Sequence, residues 1–253
     1  MTTIDLNCDL GESFGAYKMG NDDEILPFVS SINIACGFHA GDPTVMRQTV
    51  EKALQHNVAI GAHPGFPDLI GFGRRNMHVS PSEVYDYVLY QIGALNGFVK
   101  AAGGKMQHVK PHGALYNMAA TDPEIADAIA KAISHINPDL LLYGLANSGS
   151  FMRAAEKHNV TLVQEAFADR TYKQDGTLTS RTEENALIKN EDEAIKQVLQ
   201  MVKEGYVEAV TGGKVAVQAQ TICLHGDGER AVQFAERIYR TFELNAVSIS
   251  APK

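Results

Sequence analysis

Short apolar runs recur along this chain at 4–10, 32–36, 58–63, 107–112, 139–146, 161–168 and 221–225, with helical stretches between most of them. That alternation constrains the fold more than any other feature. Successive parallel strands need a long crossover between them, and a helix is the usual one. The helix starts are marked: Asp42-Pro43, Ser80-Pro81 and Asp122-Pro123 each set an N-cap residue before a proline at the first helical position. Ser80 with Glu83 also makes a capping box. The helix from Pro81 carries Val84, Val88, Ile92, Leu95 and Val99 on one stripe and ends at Gly103-Gly104. Further helices fit 149–158, 191–204 and 229–242.

Seven such units, with no Pro/Ser-rich linker between them, read as one α/β domain over residues 1–253. A single closed (β/α) barrel of seven to eight strands explains the count best, and a doubly wound open sheet is the competing arrangement. The 45% apolar content is ample for its core.

Polar residues gather at the C-terminal ends of these strands, where barrel enzymes place their chemistry. The first strand, DLNCDLGE, alternates Leu6, Cys8 and Leu10 with Asp5, Asn7 and Asp9. Alternation sends the two sets to opposite faces, so Asp5, Asn7 and Asp9, followed by Glu12, point into the barrel mouth and Cys8 packs beneath the helices. The next ends bring Asn33 and His39 (NIACGFHAGD), then His63 (IGAHPGFPD). In HVKPHGALYN, His108, Lys110 and His112 alternate onto one face. Glu165, Asp169 and Arg170 follow the sixth strand, and His225 and Asp227 the seventh. One strand-end histidine is ordinary loop chemistry; six of seven units delivering ionisable groups at one end reads as an active site.

Within it, Asp9, His63, Lys110 and His112 are the candidate acid/base groups. Cationic neighbours are expected to lower the pKa of Lys110. Asn7, Glu12, His39, Arg74, Glu165, Arg170, His225 and Asp227 are candidates for substrate binding. The arginines lie on two unusual loops, GFPDLIGFGRRNMH and the segment 169–190, and suit a carboxylate ligand. The longer segment reads as a lid.

Several classes are disfavoured. The net charge of −8 without a Lys/Arg cluster argues against nucleic acid. No apolar run approaches bilayer length, and the start of the chain lacks a secretory pattern. Three widely spaced cysteines read as reduced thiols, so a cytoplasmic protein is expected. Phosphate-loop, dinucleotide, HExxH and GxSxG motifs are all missing from the sequence. Asp9, His39 and His63 form the best trio for a metal.

DLNCDLGE, NIACGFHAGDP, GAHPGFPD, VKPHGALYN, EAFADRTY, DGTLTSR and CLHGD, in this order, resemble the LamB/YcsF family from about residue 3 to residue 248. The resemblance implies a glycoside hydrolase/deacetylase-type barrel. It also implies ATP-dependent opening of 5-oxo-L-proline to L-glutamate with partner subunits B and C, and Mg²⁺ accompanying the ATP. The deacetylases of that superfamily carry a second metal-binding histidine four positions after the first. Pro67 stands there, so no metal is expected. Two alternatives follow: a metal-dependent deacetylase or carbohydrate hydrolase, and a non-catalytic substrate-binding subunit.

Overall fold

The computed structural model of the chain describes residues 2–226, 228 and 230–253. Strands β1 (Thr2–Leu10), β2 (Ser31–Ala35), β3 (Ala59–His63), β4 (Met106–Val109), β5 (Leu141–Leu145) and β6 (Leu162–Phe167) lie side by side in chain order, all parallel. A short hairpin, β7 (Tyr206–Glu208) with β8 (Lys214–Ala216), stands outside this sheet. Then β9 (Thr221–His225) pairs with β6 on one side and β1 on the other, which closes a seven-stranded barrel. The open-sheet alternative is thereby ruled out. A last strand, β10 (Val247–Ile249), pairs only with Thr2–Ile4 at the start of β1.

The helices are α1 (Asp22–Ile25), α2 (Pro43–Gln55), α3 (Pro81–Ala101), α4 (Gly113–Thr121), α5 (Pro123–Ile136), α6 (Gly149–His158), α7 (Glu191–Glu204) and α8 (Ala231–Leu244). The caps act as their chemistry requires. Asp42 accepts from the Thr44 and Val45 amides, Asp122 from those of Glu124 and Ile125, and Ser80 with Glu83 closes the capping box. Gly103 takes φ +76° just beyond α3, a left-handed conformation that favours glycine. The expected α3 stripe, Val84, Val88, Ile92, Leu95 and Val99, is fully buried.

Some boundaries and short elements differ from expectation. β4 stops at Val109, and His112 becomes the N-cap of α4 rather than a strand residue. α8 begins at Ala231, two residues later than its pattern indicates. The three-residue strands β7, β8 and β10 are too short for periodicity to reveal.

Alternation sorts the side chains as the first strand foretells. Leu6, Cys8 and Leu10 join Ile32, Ile34, Ile60, Ala62, Ile222 and Leu224 in the layer between barrel and helices. Inside the barrel, Leu141, Tyr143 and Val163 form a separate small cluster. The rest of the interior is largely polar.

Candidate active site

Asp5 corrects one expectation. It points inward, but it lies low in the barrel and not at the mouth. Its carboxylate accepts from four hydroxyls: Ser30 (2.6 Å), Ser31 (2.8 Å), Thr221 (2.6 Å) and Tyr143 (3.0 Å). Burial raises its pKa despite these bonds. The Tyr143 ring stacks under His108 at 4.0 Å, and Gly61 leaves room for that imidazole, since a Cβ there would fall 2.1 Å from His108 Nε2. Burial first, then Lys110, lowers the His108 pKa to about 3, so the ring is neutral. Its Nε2–H donates to Asn33 Oδ1 at 2.8 Å.

One layer up, amides orient the charges. Asn33 Nδ2 donates to Asn7 Oδ1 and Asp9 Oδ1, and Asn7 Nδ2 to Glu165 Oε1 and Thr221. Lys110 sits at the centre, 2% exposed. Its ammonium donates to Asp9 Oδ1 (2.8 Å), Cys223 Sγ (2.9 Å) and Asn7 Oδ1 (3.3 Å), and stands 3.1 Å from Glu165 Oε1. This overturns the expected fall in its pKa. Burial does pull it down, but Asp9, Cys223 and Glu165 together hold it well above the ordinary lysine value. These partners favour the charged form of Lys110.

The mouth itself is a narrow cavity, whose lining includes Asp9, Glu12, His63, Lys110, His112 and Arg170. The left-handed Gly11 (φ +70°) turns the chain after β1, ahead of Glu12. His63 ends β3 and His39 lies on the loop after β2. His39 and His112 stack face to face with centroids 3.7 Å apart, and His63 meets both edge-on. His63 Nε2 is 3.3 Å from Asp9 Oδ2, and Glu12 Oε1 is 3.6 Å from His39 Nε2 and 3.9 Å from His112 Nδ1. Burial, then the neighbouring histidines, keeps His112 well below the usual imidazole value; burial, then His63, does the same for His39. Gly73 (φ +63°) packs against both rings, and a Cβ there would lie 2.7 Å from His39 Cβ and 2.8 Å from His112 Cδ2.

The two unusual loops border this cavity. Phe72 O accepts from His112, and the Arg74 guanidinium lies 4.7 Å from the Phe72 ring centroid beside the mouth. Arg75 turns away to pair with Asp68. Arg170 is 3% exposed and donates to Thr179 O and Ala186 O, which ties the 169–190 segment down. Leu178 and Arg181 of that segment line the cavity.

Of the candidates, Asp9, Glu12, His63, Arg74, Lys110, His112 and Arg170 line one cavity. Asn7, His39 and Glu165 are fully buried around it. The His225 backbone pairs with Asp9, while its side chain and Asp227 lie outside the described residues. Sequence reasoning missed Cys223, Phe167 and Tyr116. The Tyr116 hydroxyl is buried near Glu165, and burial, then Glu165, raises its pKa well above the ordinary phenol value. Its signal is legible: Tyr116 stands four residues after His112, one helical turn along α4.

A closed parallel barrel with buried acids, a lysine and histidines at its strand ends defines an enzyme-like (β/α) barrel. The chain belongs to the LamB/YcsF family, whose profile matches residues 4–253. It is 90% identical over 252 residues to a Bacillus mycoides (strain KBAB4) protein named as the A subunit of 5-oxoprolinase, covering 100% of this chain and 99% of that one. It is 89% identical to a protein of the same name from Bacillus cereus (strain ATCC 10987 / NRS 248), covering 100% of both. Its fold matches the crystal structure of the lactam utilization protein from Thermus thermophilus with a TM-score of 0.93 at 48% identity, over 99% of this chain and 100% of that one. Among the described residues, no helix is long and apolar enough to cross a membrane.

Proposed function

We propose that this chain opens the lactam ring of 5-oxo-L-proline as one subunit of a cytoplasmic ATP-dependent 5-oxoprolinase, together with partner subunits B and C. The observation that carries the reading is the buried Asp9–Lys110–Glu165 cluster at the strand ends, beside a narrow polar cavity, in a chain nine-tenths identical to relatives named for that activity. A five-membered lactam is an unactivated amide. Phosphoryl transfer from ATP to its oxygen makes the ring carbon electrophilic. One water then adds and the ring C–N bond breaks, with a proton passing to nitrogen; a second water releases phosphate.

The residues suit those demands. Lys110, in its charged form, stabilises negative charge developing on the lactam oxygen. Asp9, 3.3 Å from His63, takes a proton from the attacking water and returns it to the leaving nitrogen. Arg74 and Arg170 favour the substrate carboxylate. ATP with its Mg²⁺ is assigned to surfaces completed by the partners, because the sequence carries no phosphate loop.

Acid/base help of about 10²–10⁴-fold falls far short of typical enzymatic accelerations. The purified chain with ATP and 5-oxoproline should therefore release no glutamate above background until B and C are added. Full turnover by the chain alone would break the partner requirement.

A further inference from the structure

Two backbone carbonyls fix the tautomers of the histidine pair. A carbonyl only accepts, so His63 carries its proton on Nδ1, 2.7 Å from Lys110 O, and His112 on Nε2, 2.8 Å from Phe72 O. The other two nitrogens, His63 Nε2 and His112 Nδ1, then face each other as lone pairs at 2.9 Å. Two neutral rings cannot rest that way; something positive must lie between them. Fully buried beside them, His39 has no hydrogen-bond partner for either ring nitrogen among the described residues. A proton on the His63–His112 pair relieves that contact and leaves His39 unsatisfied. A metal ion takes one nitrogen from each of the three rings.

We propose that Glu12, His39, His63 and His112 together bind one divalent first-row transition ion of the zinc class. One candidate donor atom from each of these residues lies within 4.8 Å of the others. Ligand atoms about 2.0–2.1 Å from a tetrahedral ion stand roughly 3.3–3.4 Å apart. The observed 2.9, 3.6 and 3.9 Å bracket that spacing. The outer contacts match as well: metal-bound histidines characteristically donate their second N–H to a backbone carbonyl or carboxylate, as His63 and His112 do here. Three imidazoles with one carboxylate suit zinc, iron, cobalt or nickel. Magnesium, which demands oxygen ligands, does not fit. This ion is thus distinct from any Mg²⁺ carried by ATP. The absent histidine at Pro67 is no obstacle, because His39 and His112 come from other loops. With the ion bound, His63 and His112 act as its ligands, leaving Asp9 and Lys110 at the reacting atoms.

The assignment does not depend on the ring-opening reading, since binding is measured without turnover. The full chain, stripped with a chelator and dialysed, is titrated with Co²⁺ and, separately, Zn²⁺. One ion per chain should survive gel filtration, with the intense visible bands of tetrahedral Co²⁺, and excess Mg²⁺ should not displace it. His39→Gln and Glu12→Gln should each weaken Co²⁺ binding by 100-fold or more while far-UV circular dichroism stays unchanged. Substoichiometric Co²⁺ and Zn²⁺ on the wild-type chain overturns the proposal, with no variant needed. So does stoichiometric binding that folded His39→Gln and Glu12→Gln both leave intact, because the ion would then sit elsewhere.

Discussion

The two polar levels of this barrel are built from similar material and finished differently. At the lower level Asp5 is enclosed by four hydroxyls, and both of its oxygens are hydrogen-bonded. At the upper level Asp9 shares its first oxygen between Lys110 and Asn33 and turns its second toward His63, beside a cavity. The unpartnered nitrogens of His39 also lie near that level. Burying a polar group without a partner costs about 1–3 kcal/mol, so a cluster of such atoms beside a cavity points to a ligand. The lower level holds the barrel shut, and the upper level keeps valences for a ligand.

The largest expected effect strikes the upper level. Asp9→Asn keeps the shape and removes the negative charge, so kcat of the complete three-subunit system should fall about 10²–10⁴-fold. The variant should still assemble with its partners. If Asp9→Asn retains full turnover, the ring does not open at this mouth.

Asp5→Ala sharpens the contrast from the other side. It strands four hydroxyls, three of them on fully buried residues, and opens a void, which should cost about 3–5 kcal/mol, read as a lower urea midpoint. Turnover per folded molecule should change far less than for Asp9→Asn. An Asp5 variant that kept its stability and lost its activity would reverse the two roles.

Acid should separate the levels next. The His108 value of about 3 lies below the roughly 6.5 of an unfolded imidazole. Between those values the unfolded chain binds the extra proton. Stability is therefore full above about pH 6.5 and lost as pH falls toward 3, by up to about 1.4 kcal/mol per pH unit for this one ring. His39 and His112, also depressed, add to the same slope. Asp5 has the opposite sign: with its pKa raised, its contribution is full below the ordinary 3.8 and lost as pH rises through its folded value. Urea midpoints at pH 7, 6 and 5 should decline in that order, and His108→Gln should flatten the decline. A flat wild-type profile would mean these rings are not held neutral.

Much of this is legible in the residues alone. The period of two in DLNCDLGE separates the helix-facing Leu6, Cys8 and Leu10 from the inward Asp5, Asn7 and Asp9, because pleating alone decides it. The three N-cap/proline pairs fix helix starts by local backbone chemistry. Height within the barrel is not legible, since it depends on the stagger of neighbouring strands, and so the pattern sets Asp5 too high. The Lys110 pKa escapes for a similar reason. Its sequence neighbours are histidines, but Asp9 and Glu165 arrive from β1 and β6. The meeting of Glu12 and His39 with His63 and His112 is purely tertiary: four residues on four loops or strand ends with no spacing in common.

The smallest expected effect divides two adjacent arginines at the rim. Arg74 borders the cavity, over Phe72, whereas the Arg75 side chain is 65% exposed and engages Asp68. A guanidinium that meets the substrate carboxylate contributes a charge-assisted hydrogen bond, and losing about 1.4 kcal/mol of it raises KM about tenfold. The Arg75 guanidinium engages the buried Asp68 carboxylate and is absent from the cavity lining. Arg74→Ala should therefore raise KM for 5-oxoproline about tenfold with kcat within a factor of two or three, while Arg75→Ala leaves both within about twofold. Equal effects would show that the loop acts on the mouth as a unit, through Phe72 O and its hold on His112, rather than through one charge. In that event Arg74→Lys, which keeps the charge and loses the planar fork, should fail to restore KM.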